Sequence, residues 1–104
     1  MQDHAVKAAE ECRNMADVRA AVDALDQELV ALIARRFGYM RAAARIKPER
    51  NMVRDEARKA EVIANAQAEA VRLGVPENLV KELWERLVEA SIAYELEAFD
   101  RRQR

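Results

Sequence analysis

The chain has 104 residues, enough for one domain, and a formal net charge of −1, which suggests neither a nucleic-acid footprint nor a basic membrane patch. Hydrophobic residues make up 51% and charged residues 36%, a balance typical of a soluble helical protein and not of a disordered one. No apolar run reaches the length of a membrane span, and the first residues lack the apolar segment of a signal peptide. Since Cys12 is the single cysteine, no internal disulfide can form, and we expect a cytoplasmic protein.

Residues 1–13 are polar and weakly periodic, which predicts a flexible N-terminal arm before a helical domain over residues 14–100. Asn14 is a favourable N-cap for a first helix, and Asp17 stands where a capping box places its acidic residue. Pro48 disfavours a helical conformation at the residue before it and therefore ends this helix. Between these limits, apolar and aromatic residues recur at alternating steps of three and four, which predicts one amphipathic helix. The seam consists of Met15, Val18, Val22, Leu25, Leu29, Leu32, Tyr39, Ala43 and Ile46.

The length of this first helix predicts a dimer. At 1.5 Å per residue the helix is roughly 50 Å long. A compact domain of this size has a radius of gyration of about 13 Å, so a single chain cannot cover the whole seam. The simplest closed arrangement is a two-fold homodimer in which the long helices pair at a shallow crossing angle.

Two shorter helices are predicted in the second half of the chain. An alanine-rich helix is expected from about 52 to 73, with Gly74 as its left-handed stop. Pro76 suits the first turn of a third helix, expected from about 77 to 99. Residues 101–104 form a charged tail that is predicted to fray. The fold class is therefore all-α, with three helices of which one is very long.

Several charged residues interrupt or border the apolar stripes, and their spacing is informative. Arg36 and Lys47 are eleven residues apart, so they point to one side of a helix, whereas Arg19, seventeen residues before Arg36, is rotated by about 100°. In a two-fold dimer, Arg19 could reach the partner's site. The remaining candidates are Asp55, Arg58 and Lys59 on one face of the second helix, and Ser91 and Glu95 one turn apart on the third.

Two interpretations of these charges are open, because a buried charge requires a counter-ion. Arg36 could form a structural bridge with Asp26, Glu56 or Glu95. Alternatively, several cations converge on an anionic ligand in a pocket between helices. The sequence has no Ser/His/Asp set, no glycine-rich phosphate loop, no paired-carboxylate motif and no cluster with metal-ligand spacing. Any chemistry would therefore rest on positioning and electrostatics.

The segment ADVRAAVDALDQELVALIARRFGYMRAAARIK resembles the first helix of the all-helical chorismate mutases and of the related isochorismate pyruvate lyases. The family pattern is an arginine, a Leu-Asp pair six residues later, a second arginine seventeen residues after the first, and a lysine eleven residues after that. The similarity continues through VRDEAR and EASIAYELEAF and covers residues 14 to about 99. The matching positions are Arg19, Leu25, Asp26, Arg36, Lys47, Asp55, Arg58, Ser91 and Glu95.

The resemblance implies an intertwined homodimer with two equivalent pockets, a small dicarboxylate substrate and no cofactor. It implies that Arg19 of one chain, with Arg36 and Arg58 of its mate, binds the two carboxylates. Lys47 and Glu95 would flank the ether oxygen of the enolpyruvyl group. The implied activity is the rearrangement of chorismate to prephenate. Isochorismate pyruvate lyase activity, giving salicylate and pyruvate, is the alternative, and a non-catalytic helical scaffold or regulatory module is the alternative of another class.

Two positions depart from the family pattern. Typical mutases carry a glutamate directly after the second-helix arginine, where it meets the ring hydroxyl of the substrate. Here that residue is Lys59, and the lyase relatives also lack the glutamate. Many bacterial members have glutamine where this chain has Glu95, although other mutases carry glutamate there. With these differences noted, Asp55, Lys59 and Ser91 are included among the expected substrate-binding residues.

Overall fold

The computed structural model describes residues 7–102. Over this range the chain forms three α-helices and no strand, which confirms the predicted all-α fold with one long helix. The helices are α1 (Met15–Ile46), α2 (Glu56–Leu73) and α3 (Glu77–Arg102), with single turns of 3-10 helix at Ala9–Glu11 and Arg50–Met52. None of these helices is both long enough and apolar enough to cross a membrane. The chain divides into two compact units, of which the first ends at Arg36 and the second begins at Phe37.

The start of α1 is capped as the sequence predicts. Asn14 Oδ1 accepts a hydrogen bond from the Asp17 backbone N–H at 2.9 Å. The Asp17 carboxylate in turn accepts from the Arg13 backbone N–H at 3.0 Å and from the Lys7 ammonium at 3.2 Å. These bonds, the one from Arg13 foremost, lower the pKa of Asp17. Of the predicted N-terminal arm, residues 1–6 lie outside the described residues, and residues 7–13 are tied to the first turn of α1.

Helix α2 begins later than the sequence suggests, and the expected start near residue 52 is wrong. The reason is Asp55, which is the N-cap: its Oδ1 accepts from the backbone N–H of Arg58 at 3.0 Å. Val53, just before the cap, is buried in the core, so the preceding residues form a separate turn. The end of α2 is as predicted, because Gly74 adopts a left-handed conformation with φ of 76°.

Helix α3 begins at Glu77 as predicted but continues beyond the expected end at residue 99. Phe99 is buried, and the guanidinium of Arg102 lies over its ring at 3.9 Å from the centroid. Arg101 pairs with Glu97 one turn earlier on the same helix. Residues 101 and 102 of the predicted frayed tail are therefore helical, and residues 103–104 lie outside the described range.

The core of the second unit lies between α2 and α3. Four buried residues, Val53, Ile63, Val88 and Ile92, form its centre, and Val62, Trp84 and Leu96 pack against them. Burial of each such side chain contributes about 1.5–3 kcal/mol relative to exposure. This packing fixes the facing sides of α2 and α3, which carry the charged residues considered below.

An ion-pair cluster borders this core. The Glu89 carboxylate accepts from Arg54 at 2.7 and 3.0 Å and from Lys59 at 2.7 Å. Lys59 also lies 2.6 Å from Glu85. The hydrogen bonds from Arg54, and then the one from Lys59, lower the pKa of Glu89 to about 2. The cluster therefore links α2 and the chain before it to α3 at neutral pH.

We expect Glu89→Gln to lower the melting temperature at pH 7 and to reduce the acid sensitivity of the fold. Because folding depresses the pKa of Glu89 from 4.5 to about 2, its contribution is present above pH 4.5 and is lost as the pH falls towards 2. The difference in melting temperature between wild type and variant should narrow across this window. Thermal unfolding followed by circular dichroism measures it, with the exposed Glu61→Gln as control. A difference that stays constant from pH 7 to pH 2 would contradict the assignment.

Candidate active site

An ammonium group and a buried carboxyl group meet where α1 ends against α3. Lys47 directly follows α1, and its Nζ lies 2.8 Å from Oε2 of Glu95. Glu95 is only 4% exposed, whereas Lys47 is half-buried. Despite the ion pair, Oε2 has no hydrogen bond of good geometry among residues 7–102. The buried oxygen therefore keeps capacity for a further polar partner, which is unusual in a folded interior and typical of a functional site.

The sequence-predicted partner of Glu95 on α3 is Ser91, one turn earlier. Ser91 is also buried, and its hydroxyl donates to the Leu87 carbonyl at 2.6 Å. Ile92 and Phe99 are buried beside them on the same helix. Ser91 and Glu95 are thus two buried polar residues, one turn apart on a face of α3 that is otherwise apolar.

The three candidates at the start of α2 have different surroundings. Asp55 is the helix cap described above. The Arg58 side chain is exposed and pairs with Glu61 at 2.6 Å on its own helix. Lys59 is largely enclosed, and its ammonium donates to carboxylates of α3. The hydrogen bond to Glu85, followed by that to Glu89, raises the pKa of Lys59.

Two further predicted cations belong to the first unit. Arg19 lies on an exposed part of α1, one turn after its start. Arg36 is half-buried at the end of that unit and is engaged in a polar interaction. The sequence interpretation that Arg19 serves a pocket in a second chain stays a prediction. No group of three or more His, Cys, Asp or Glu side chains that could hold a metal ion occurs in the described range.

Sequence reasoning missed an aromatic contact beside the ion pair. The hydroxyl oxygen of Tyr94, adjacent to Glu95, accepts a 2.6 Å hydrogen bond from a guanidinium N–H of Arg41. Its ring packs edge-to-face against Phe37, with 4.8 Å between the ring centroids. This contact fixes the second part of α1 to α3. Arg41 lies four residues before Arg45 on the same helix, and nothing in its spacing distinguished it from a solvated surface arginine.

The last turn of α3 also contacts the segment that carries Lys47. The prediction of a frayed tail did not anticipate this contact. Arg102 Nη1 donates to the carbonyl oxygens of Ala44 and Arg45 at 2.9 and 3.0 Å, and Nη2 donates to that of Pro48 at 3.4 Å. Asp100 accepts two bonds from Arg50, at 2.8 and 3.2 Å. The signal in the sequence was only that Arg102 falls three residues after Phe99, at helical spacing.

Comparison with known proteins agrees with the sequence resemblance. Residues 18–96 match the family model described as chorismate mutase type II. The chain is also similar to the isochorismate pyruvate lyase of Pseudomonas aeruginosa, with 28% identity over 91 residues that cover 88% of this chain and 90% of that relative. The matched range includes Arg19, Arg36, Lys47 and Glu95. Since the family model accounts for most of the length, the chain belongs to the chorismate mutase type II family.

Proposed function

We propose that the protein is an enzyme that rearranges chorismate to prephenate, with the Lys47–Glu95 pair at the reacting ether. The observation that carries the proposal is the 2.8 Å contact between the ammonium and a carboxyl group that is 4% exposed. In the reaction, the ether C–O bond breaks while a C–C bond forms within the same molecule. No atom enters or leaves, so the reaction needs neither a nucleophile nor a cofactor, and charge stabilisation and positioning supply the catalysis.

In this mechanism Lys47 donates to the ether oxygen, which gains negative charge as the C–O bond breaks. An ammonium group in a partly desolvated site stabilises that charge far better than it would in water. Binding of the ether oxygen must first separate the ammonium from Glu95. The half-buried position of Lys47 makes its flexible side chain the member of the pair that can move.

We propose that Arg19, Arg36 and Arg58 bind the two carboxylates of the substrate, because arginine forms bidentate hydrogen bonds with a carboxylate. Arg58 is available for this role, since its present pair with Glu61 is exposed on both sides and such pairs contribute little. Asp55 holds the backbone of Arg58 at the helix start, and Ser91 lies one turn from Glu95. These two residues would line the pocket.

We further propose that the protein functions as a homodimer whose two pockets are shared between chains. In the first unit, the seam of α1 lies open: Met15, Val22, Leu25, Leu29 and Leu32 are between 49% and 56% exposed. A contiguous apolar stripe of this kind marks an interface. A second copy of the same helix has the complementary pattern, which a two-fold axis exploits.

We expect the protein to sediment as a dimer at micromolar concentration, with no folded monomer. Leu25→Glu, which places a charge on the exposed seam, should dissociate or unfold it, since a carboxylate buried in that interface would be unpaired. Analytical ultracentrifugation with circular dichroism distinguishes these species. Leu79→Glu, at a comparably exposed leucine on α3, is the control. A folded wild-type monomer at this concentration would contradict the proposal.

Isochorismate pyruvate lyase activity is the second candidate, and the residue after Arg58 favours it. A mutase would be expected to carry a carboxylate there, but this chain has Lys59, whose charge is already engaged by Glu85 and Glu89. The similar protein of Pseudomonas aeruginosa is named as this lyase. Both substrates are dicarboxylates with the same enolpyruvyl ether, so the Lys47–Glu95 pair serves either reaction.

Assays of the purified protein with chorismate and with isochorismate, each alone, decide between these activities. Prephenate formed from chorismate supports the mutase assignment, and salicylate with pyruvate formed from isochorismate supports the lyase. Lys47→Ala, assayed in parallel, must abolish most of whichever activity is found. Turnover of neither substrate would overturn both assignments and leave the non-catalytic scaffold or regulatory module.

We expect Glu95→Gln to flatten the pH profile and to retain activity at alkaline pH. An ionised carboxylate only accepts hydrogen bonds, so Glu95 would repel an ether oxygen that gains negative charge, and it can donate only when protonated. Glutamine keeps the shape of the side chain and supplies an N–H donor at every pH. The measurement is kcat/KM against pH for both proteins on the substrate that turns over.

The exposed Glu97→Gln, two residues further along α3, is the matched control and should show the same dependence of kcat/KM on pH as wild type. Parallel profiles for wild type and Glu95→Gln would remove Glu95 from the role of donor. The same conclusion would follow from a Glu95→Gln enzyme that is folded but inactive at every pH.

A further inference from the structure

The end of α1 is held by a group from another helix. The last carbonyls of a helix have no partner within it, and those of Ala44 and Arg45 both accept from the Arg102 guanidinium, at 2.9 and 3.0 Å. The positive charge also lies at the negative end of the helix dipole. Arg102 is thus a C-terminal cap for α1 that is supplied by α3.

The contacts of Arg102 lie on both sides of Lys47. Ala44 and Arg45 precede Lys47, and Pro48, whose carbonyl lies 3.4 Å from Nη2 of the same guanidinium, follows it. The backbone N–H of Lys47 bonds to Ala43 at 2.9 Å, but the helix stops there, and proline has no N–H to continue it. A single planar guanidinium therefore fixes the backbone before and after the residue that carries the ammonium.

The same face of α3 carries the partner of that ammonium. Phe99 follows Glu95 by one turn, and Arg102 follows it by two. The ring of Phe99 is buried, and the Arg102 guanidinium lies over it at 3.9 Å from the centroid. This contact holds the guanidinium in position to donate to the three carbonyl oxygens. Helix α3 carries both Glu95 and the guanidinium that holds the backbone around Lys47. Contacts between α1 and α3 therefore help to set the distance between the Lys47 and Glu95 side chains, in addition to the chain connection through α2.

We infer that Arg102 is a positioning residue for Lys47, acting through the carbonyls of Ala44, Arg45 and Pro48. The inference rests on the proposed function, since it assigns Arg102 to the orientation of the group that meets the ether oxygen. The ion pair between Arg50, two residues after Pro48, and Asp100, two residues before Arg102, is a second contact between the same two segments. Arg102 does not touch the substrate; it limits where the ammonium can lie.

The test compares Arg102→Ala with Arg101→Ala. Arg101 is adjacent and exposed, and pairs with Glu97 on its own helix, so its removal takes the same charge from the same turn. Arg102→Ala should lower kcat roughly 10- to 100-fold with little change in KM, because misplacement of a catalytic donor affects the transition state most. Arg101→Ala should leave both constants unchanged.

A double-mutant cycle with Lys47→Ala separates positioning from general destabilisation. If Arg102 acts through Lys47, Arg102→Ala should cost nothing further in the Lys47→Ala background, whereas independent effects would multiply. Arg102→Lys retains the positive charge but lacks the planar guanidinium, so its kcat should lie between those of wild type and Arg102→Ala. It also replaces Arg102→Ala in the cycle if the latter does not fold. Full multiplication in the cycle would overturn the inference.

A readout that needs no turnover keeps this inference distinct from the proposed function. In protein labelled with ¹³C-lysine, the Cε signal of Lys47 is assigned by its loss in Lys47→Ala. Arg102→Ala, or Arg102→Lys if it alone folds, should shift or broaden that signal, and Arg101→Ala should leave it in place. If wild type turns over neither substrate, the proposed function fails while this measurement still decides the position of Lys47. An unmoved Lys47 signal in the folded Arg102 variant would overturn the inference.

Discussion

Lys47→Ala should lower kcat/KM by a factor of roughly 100–1000, the usual effect of removing one preorganised donor to developing charge. The ammonium lies 2.8 Å from the buried Glu95 carboxyl and is the group placed to meet the ether oxygen. Steady-state kinetics on whichever substrate turns over measures the loss. Lys81→Ala removes the same side chain from an exposed position on α3 and should retain wild-type activity. A Lys47→Ala enzyme of near wild-type rate would remove Lys47 from the mechanism.

The stability of Lys47→Ala must be measured beside its activity. The position of Lys47 at a helix end, off the seam, predicts that the fold tolerates its loss. The structure limits that expectation, because Glu95 is buried and would lose its cation. The double variant Lys47→Ala/Glu95→Gln removes the unpaired charge. If the fold of the single variant is impaired, the double variant should recover the melting temperature but not the activity.

Arg19→Ala and Arg36→Ala should each be nearly inactive and should regain activity when the two proteins are unfolded together and refolded. In a shared-pocket dimer, one pocket of the heterodimer carries both lesions and the other carries none. With random pairing, about a quarter of all pockets are then intact. The recovered activity, assayed after purification of the heterodimer with two different tags, should approach half of wild type.

A second mixture controls for this result. Arg36→Ala and Lys47→Ala would affect residues that one chain contributes to the same pocket, so every pocket of their heterodimer retains one lesion. That mixture should stay inactive. If the verified heterodimer of Arg19→Ala and Arg36→Ala is inactive as well, the pockets are not divided between chains in the proposed way.

Local signals in the sequence predicted most helix boundaries. Asn14 capped α1 as expected, Pro48 followed its end, and Gly74 adopted the left-handed conformation that stops α2. Each depends only on a residue and its nearest neighbours. The start of α2 was wrong because Asp55 was treated as one residue of a helical face, although aspartate is a strong N-cap and here takes that role.

Contacts between distant segments were harder to predict. Helical spacing placed Arg36 and Lys47 on one side of a helix and paired Ser91 with Glu95, but spacing within one helix cannot say which residue of another lies opposite. The engagement of Lys59 by Glu85 and Glu89 depends on the register of α2 against α3. The position of Arg102 depends on where α1 ends relative to α3, which no local pattern contains.

The carboxylates of Glu85 and Glu89 limit which side chains the fold can accept at residue 59. Lys59→Glu would place a third negative charge beside Glu85 and Glu89, with Arg54 as the neighbouring cation. Like charges at this separation repel, so we expect the single substitution to lower the stability of the fold. Neutralising Glu85 or Glu89 in the same protein should relieve that repulsion, so a designed change of charge at residue 59 requires a compensating change on α3.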